Sequence, residues 1–211
     1  SFPTRRSSDL RYYFRNQKKA YKGSLGTSIL KAFDLTVSAT GLNEKTLKRL
    51  NIPYMVTTVN RNSHASYYPG ATPLTLKLIF NKEGDILGAQ GIGYKGVDKR
   101  IDIISTAIKG NLKVWDLQEI EVAYAPPYNS AKDPVNIAGY AAENMINGEH
   151  ETFRYFEIEE LAKDSNYQLL DVRTKSENKL GTIENSINID LNTLRDNLDK
   201  LDRNKTYLVF C

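Results

Sequence analysis

Cysteine is nearly absent from this 211-residue chain: Cys211 is its only one, beside one tryptophan, two histidines and two methionines. A single thiol excludes an internal disulfide, a zinc-cysteine cluster and a Cys-x-x-Cys redox pair, so any dithiol chemistry would need a group from outside this sequence. The histidines stand far apart, at positions 64 and 150, and no metal site is expected. No apolar run approaches the roughly 20 residues of a membrane-spanning helix, and the N-terminus lacks the apolar core of a secretory signal. The expectation is a cytoplasmic protein with no membrane partner. A dominant charge is missing as well. The 29 basic and 25 acidic residues are interspersed, leaving a net charge of +4, and without a continuous basic face no nucleic-acid partner is expected.

What is present is the composition of a globular protein, 40% hydrophobic and 26% charged, long enough for one domain of about 120 to 150 residues and part of another. The first ten residues, "SFPTRRSSDL", have no periodicity and resemble the translation of a sequencing-adapter oligonucleotide. They are set aside from fold reasoning. Ser28 to Val37 reads as a strand, with Phe33, Leu35 and Val37 alternating against polar neighbours. "GLNEKTLKRLNIP" predicts a short helix starting near Asn43, with Leu47 and Leu50 on its apolar side, and ending before Pro53. Strands follow at Tyr54 to Val59, around Leu74, Leu76, Leu78 and Phe80, and at Ile86 to Ile92, the last two joined by an "NKEGD" turn. Val97, Ile101, Ile104 and Ile108 then recur at helical spacing, with Gly110 placed to end the helix. A second helix is expected from Asp133 as N-cap, with Pro134 at its first position.

Near residue 150 the organisation starts afresh. "FEIEELAKDSNYQLLDVRT" reads as a short helix and a strand from Gln168 to Val172. "SINID" is another strand, "LNTLRDNLDKL" a helix and "TYLVF" a final strand. Strands alternating with helices predict a parallel sheet. "GAQGIG" at Gly88 to Gly93 lacks the strand-turn-helix context of a dinucleotide-binding loop.

Four stretches, "GTSILKAFDLTVSATGLNEK", "NSHASYYPGATPLTLKLIF", "GVDKRIDIISTAI" and "YAPPYNSAKDPVNIAGY", together resemble the dimerisation domain of the flavoprotein pyridine nucleotide-disulfide oxidoreductases. Within that family they look closest to the branch of coenzyme A-disulfide reductases and NADH oxidases. The segment "LLDVRTKSENKLGTIENSINIDL", with "YLVF" leading to Cys211, is similar to a rhodanese domain, although Thr182 stands where that family usually has histidine. The resemblance implies an α+β fold, an antiparallel-sheet interface domain over residues 21–150 followed by the start of an α/β rhodanese-like domain over 151–211, with residues 11–20 a remnant of the connection to an FAD domain. It implies a piece of an enzyme that uses FAD and NAD(P)H, with coenzyme A as substrate or mixed-disulfide partner, working as a homodimer on coenzyme A disulfide or a persulfide and inactive alone. A fragment of an NADH oxidase and a non-catalytic dimerisation module are the other two readings.

The same resemblance implies the site residues. Tyr67, Tyr68 and Tyr124 would approach the partner's thiol site, where a protonated phenol can donate to a developing thiolate; alternatively these rings pack a dimer surface. Pro126, with Pro127, fixes an extended backbone between Tyr124 and Tyr128. Asp133 and Pro134 point a helix N-terminus at the flavin edge or serve as a structural cap. His64 is a proton relay or a structural hydrogen-bonding group. Lys99 and Arg100 would make interface contacts or neutralise phosphates. Cys211 would carry a persulfide once a backbone N–H loop follows it, or is a buried strand-end cysteine.

Overall fold

Period-two alternation across residues 28–93 builds a five-stranded antiparallel sheet. The computed structural model describes residues 23–149 and 151–211; the adapter-like residues 1–10, residues 11–20 and His150 lie outside the described residues. The strands are β1 (Ser28–Ala32), β2 (Leu35–Gly41), β3 (Met55–Asn62), β4 (Pro73–Phe80) and β5 (Ile86–Gly93), in the order β1-β2-β5-β4-β3. The stretch from Ser28 to Val37 is a hairpin rather than one strand, with Ala32 opposite Leu35. Its turn holds Phe33 at φ 54°, a left-handed conformation that costs a non-glycine residue about 1–2 kcal/mol and carries no glycine signal in the sequence. Phe33 is wholly exposed there.

Helices cover the sheet because their apolar stripes need it. On one face, α1 (Glu44–Leu50) starts at Asn43, whose side chain accepts from the Thr46 N–H at 2.8 Å, and buries Leu47 against Val56 and Ile79. Leu50 stays half exposed. On the other face, Leu74, Leu76, Leu78 and Phe80 of β4 meet α2 (Val97–Lys109) and α4 (Pro134–Ile146). Val97, Ile101 and Ile104 from α2 and Val135, Ala138 and Ala142 from α4 are fully buried in this core. A one-turn helix, α3 (Asp116–Glu119), packs beside α4. A Cβ on Gly139 would stand 2.8 Å from the Val114 carbonyl oxygen, so that close approach requires glycine.

The chain divides into two compact units between His150 and Glu151. The second holds a parallel sheet, β7-β6-β8, of β6 (Tyr167–Asp171), β7 (Ile187–Asn188) and β8 (Thr206–Phe210), around a core of Leu170, Val172 and Ile189. Its helical pieces are short: a 3-10 turn at Tyr155–Glu157, α5 (Ile158–Leu161) and α6 (Lys175–Asn178). Residues Leu191–Lys200, expected as a helix, form a 3-10 stretch kinked at Asn197. Local side chains compete for its backbone: Asp190 accepts from Asn192 N–H at 2.9 Å and Asn197 Nδ2 donates to the Thr193 carbonyl at 2.7 Å. The chain is thus an α+β sheet-and-helix unit followed by a smaller α/β unit.

Candidate functional site

Two loops at one end of the first sheet bring tyrosines together. The first runs between β3 and β4 and is closed at its base by Ser63, whose N–H donates to the Thr72 carbonyl at 2.8 Å and whose Oγ accepts from Thr72 N–H at 3.1 Å. The second precedes α4. They are stitched by the Ala65 N–H donating to the Asn129 carbonyl at 3.0 Å. At their crest the hydroxyls of Tyr67 and Tyr124 lie 3.1 Å apart, on rings 75% and 49% exposed. The hydrogen bond with Tyr124 holds the Tyr67 phenol above its ordinary value, and desolvation and the neighbouring phenol's charge add in the same direction. In such a pair one O–H is engaged in the mutual bond, which leaves one hydroxyl proton able to point outward.

Tyr68 does not join the pair. Its ring stands edge-on to His64 with centroids 5.9 Å apart. His64 is buried, with Nδ1 3.2 Å from Ser63 Oγ and Nε2 3.3 Å from the Pro69 carbonyl oxygen. A carbonyl only accepts, so Nε2 carries the proton and the imidazole braces the tyrosine loop. Pro126 is half-buried, and the backbone expected to run extended between Tyr124 and Tyr128 is instead a turn, closed by Tyr128 N–H donating to the Ala125 carbonyl at 2.9 Å.

Beneath both loops lies Arg100, 1% exposed. Nη2 donates to the Ser63 carbonyl at 3.0 Å and to Asn129 Oδ1 at 2.9 Å, Nη1 donates to the Gly96 carbonyl at 3.0 Å, and Asp133 Oδ2 lies 3.0 Å from Nη2. The expectation of Arg100 at an interface or phosphate is thereby corrected: the guanidinium is an interior group, and its neighbour Lys99 is only partly exposed, its pKa lowered first by burial. Asp133 and Pro134 are buried. Asp133 Oδ1 accepts from the Val135 N–H at 2.9 Å and its own N–H donates to Asn136 Oδ1 at 2.9 Å, a reciprocal cap on α4. A polar cleft of about 740 Å³, lined in part by Gln118, Glu121, Asn129, Asp133 and Tyr140, opens beside this cap.

In the second unit Cys211 is exposed and directly follows β8. Because β6 and β8 are parallel, with Asp171 opposite Phe210, Cys211 emerges at the same carboxyl end as the loop after Asp171, where open α/β sheets place their ligands. Asp171 is fully buried and accepts from Arg173 Nε (3.0 Å) and Nη2 (2.8 Å), Asn178 Nδ2 (2.9 Å) and Thr182 Oγ1 (2.8 Å). Arg173 first, with these other donors, drives its pKa far below the usual carboxylate range against the opposing effect of burial. Thr182 therefore completes the carboxylate's hydrogen bonding.

This architecture can be set beside known proteins. The family model of the pyridine nucleotide-disulphide oxidoreductase dimerisation domain matches residues 27–134, just over half of the chain. The chain belongs to this family. Residues 157–211 match the rhodanese-like domain. A coenzyme A disulfide reductase of Staphylococcus epidermidis is 43% identical over 129 residues, which cover 61% of this chain and 29% of that protein. The crystal structure of reduced Bacillus anthracis CoADR-RHD superposes with a TM-score of 0.91 at 54% identity, covering 97% of this chain and 36% of the other. An NAD-dependent persulfide reductase from A. fulgidus gives a TM-score of 0.83 at 36% identity, over 92% of this chain and 35% of that one. The chain thus spans about a third of the length of these relatives.

The "GAQGIG" stretch does not fit a dinucleotide-binding loop. The glycines of "GAQGIG" lie in antiparallel β5, where a Cβ on Gly88 would stand 2.2 Å from the Leu42 carbonyl oxygen and one on Gly91 2.9 Å from Val97 Cγ1. They serve packing, and no flavin or nicotinamide chemistry is assigned to these residues. Among the described residues no cluster of three or more potential metal ligands occurs, and no helix is long and apolar enough to cross a membrane. Sequence reasoning overlooked Asn129, Asn136 and Asp171, and misplaced Arg100. Polar residues reveal their burial only once the chain has folded, and the one local signal was the Asp133–Pro134 cap with asparagine three positions later.

Proposed function

We propose that this chain provides the two-fold interface and the sulfur-facing tyrosines of an FAD-dependent NAD(P)H:disulfide oxidoreductase. Its substrate class is coenzyme A disulfide or a persulfide or polysulfide, and its second unit is the rhodanese part of the same enzyme. The observation that carries this reading is the Tyr67–Tyr124 hydroxyl pair, 3.1 Å apart at the crest of two stitched loops. Reductive cleavage of a disulfide breaks the S–S bond and sends a thiolate away with the electron pair. A phenol that is protonated at neutral pH donates a hydrogen bond to that developing charge. Here the mutual bond keeps Tyr67 protonated and orients the remaining proton, and a chain of two hydroxyls polarises its outer donor. Flavin, when bound, supplies the electrons; the tyrosines bind and orient sulfur for the partner subunit's site in a cytoplasmic homodimer. Cys211, beyond a parallel strand's carboxyl end, is the sulfur acceptor of the rhodanese part.

The test is a chimera in which this chain replaces the matching third of Bacillus anthracis CoADR-RHD. Coenzyme A disulfide-dependent NAD(P)H oxidation is expected, falling about a hundredfold in kcat on Tyr124→Phe or Tyr67→Phe, the lower end of what loss of one charge-stabilising donor causes. Full activity in both variants sinks the tyrosine role. NAD(P)H consumption that depends on oxygen and not on a disulfide sinks the reductase reading.

A further inference from the structure

We infer that Arg100 is the positioning residue for the tyrosine pair: from the interior of the dimerisation domain it clamps the two loops that carry Tyr67 and Tyr124 and so fixes the distance between their hydroxyls. The inference rests on the reading of that pair as the sulfur-facing group. One guanidinium nitrogen reaches both loops, donating to the Ser63 carbonyl at 3.0 Å, four residues before Tyr67, and to Asn129 Oδ1 at 2.9 Å, five residues after Tyr124. Asn129 relays the contact along its own loop, where Oδ1 also accepts from the Ser130 N–H at 2.8 Å, and its carbonyl accepts from Ala65 of the other loop at 3.0 Å. A second nitrogen anchors the group to its own helix start through the Gly96 carbonyl at 3.0 Å.

The geometry departs from what stability alone would favour. A buried arginine beside a carboxylate gains most from a bidentate fork. Arg100 instead meets Asp133 through Nη2 alone, at 3.0 Å, while Arg100 Nε and Asp133 Oδ2 are left without a hydrogen bond of good geometry in a site 1% exposed. An uncompensated buried N–H is costly. The guanidinium is rotated to serve the loops, and Asp133 supplies the countercharge while capping α4. Loop 63–72, the loop before α4 and the start of that helix are therefore held in register by one side chain. Lysine's three donors radiate from one nitrogen on a flexible stem, so it cannot serve the Gly96 carbonyl through one nitrogen and the two loop acceptors through another as the planar fork does.

The experiment follows the pair itself rather than turnover. In this chain labelled with ¹³Cζ-tyrosine, the resonances of Tyr67 and Tyr124 are assigned with Tyr67→Phe and Tyr124→Phe, and their coupling is the shift that deleting one hydroxyl produces at the other. Arg100→Lys and, separately, Asn129→Ala, which leaves Arg100 and Asp133 in place, are expected to reduce that coupling to less than a third. The resonance of Tyr54, which packs against Leu47, Val56 and Ile79 on the opposite face of the sheet, should stay where it is, reporting an intact fold. The core variant Ile104→Ala is expected to lower stability and leave the coupling whole, which separates positioning from general support. Undiminished coupling in both Arg100→Lys and Asn129→Ala overturns the inference. A chimera whose turnover ignores Tyr67→Phe and Tyr124→Phe overturns the functional reading instead, whatever the resonances do.

Discussion

Tyr67 and Tyr124 share one hydrogen bond, so the titration of Tyr67 depends on its neighbour. Removing the Tyr124 hydroxyl takes away the main cause of the raised Tyr67 value, and Tyr124→Phe is expected to bring Tyr67 down toward about 10, the ordinary phenol value. A pH titration of its ¹³Cζ resonance measures this, and no movement would assign the shift to desolvation. A raised folded value means the folded state holds the proton more tightly, so the associated stability is present below the ordinary phenol pKa and fades as pH rises through the raised one. Asp171 has the opposite sign. Its carboxylate is favoured in the folded state by Arg173, Asn178 and Thr182, so its contribution is present above about pH 4, the ordinary aspartate value, and is lost as pH falls toward the depressed one. Acid is expected to loosen the second unit across that window, and Asp171→Asn should flatten the acid limb while lowering stability at neutral pH. Circular dichroism melts at pH 3 and pH 7 compare the two proteins; an equal acid loss in both would place the acid sensitivity elsewhere.

Elements were legible where a period ran long enough to be unambiguous. The four-residue and three-residue recurrence of Val97, Ile101, Ile104 and Ile108 located α2, and alternation of leucines located β4, because each pattern buries one face against a large core. Asp133 and Pro134 likewise announced the start of α4. The hairpin at Phe33 was hidden because alternation continues on both sides of a turn without glycine, and α3 and α6 were hidden because four residues make no period. Of the site, the tyrosines and Cys211 were named through family likeness, whereas the clamp was not, since its partners at 63, 100, 129 and 133 are scattered along the chain. The α2 stripe makes a graded prediction. Ile104 is fully buried, so Ile104→Ala is expected to cost about 2–5 kcal/mol of unfolding free energy. Ile108 only packs against the core's edge, and Ile108→Ala should cost less than half as much. Urea denaturation of both variants decides the order, and equal losses would mean that the helix end is held more tightly than its exposure indicates.

At the scale of the whole chain, each unit carries its own apolar cluster and its own sheet. The first sheet is antiparallel throughout, with β1-β2, β3-β4 and β4-β5 pairing between neighbours in sequence and β2 pairing with the distant β5, and its core draws on β4, α2 and α4. The second depends on Leu170, Val172 and Ile189, with a three-stranded parallel sheet whose pairings need crossovers. A core that small gives the second unit the lower local stability. Leu170→Ala removes a side chain 2% exposed, a change worth about 2–5 kcal/mol in a well-packed site. Since about 1.4 kcal/mol is tenfold, hydrogen exchange of the amides in β6 and β8 is expected to accelerate roughly 30-fold or more, up to the limit of that unit's whole stability. Amides in β4 and α2 should exchange at their unaltered rates. If those amides accelerate together with β6 and β8, the two units unfold as one cooperative body, and the rhodanese-like part is then a structural support of the dimerisation domain rather than a separate sulfur-handling unit.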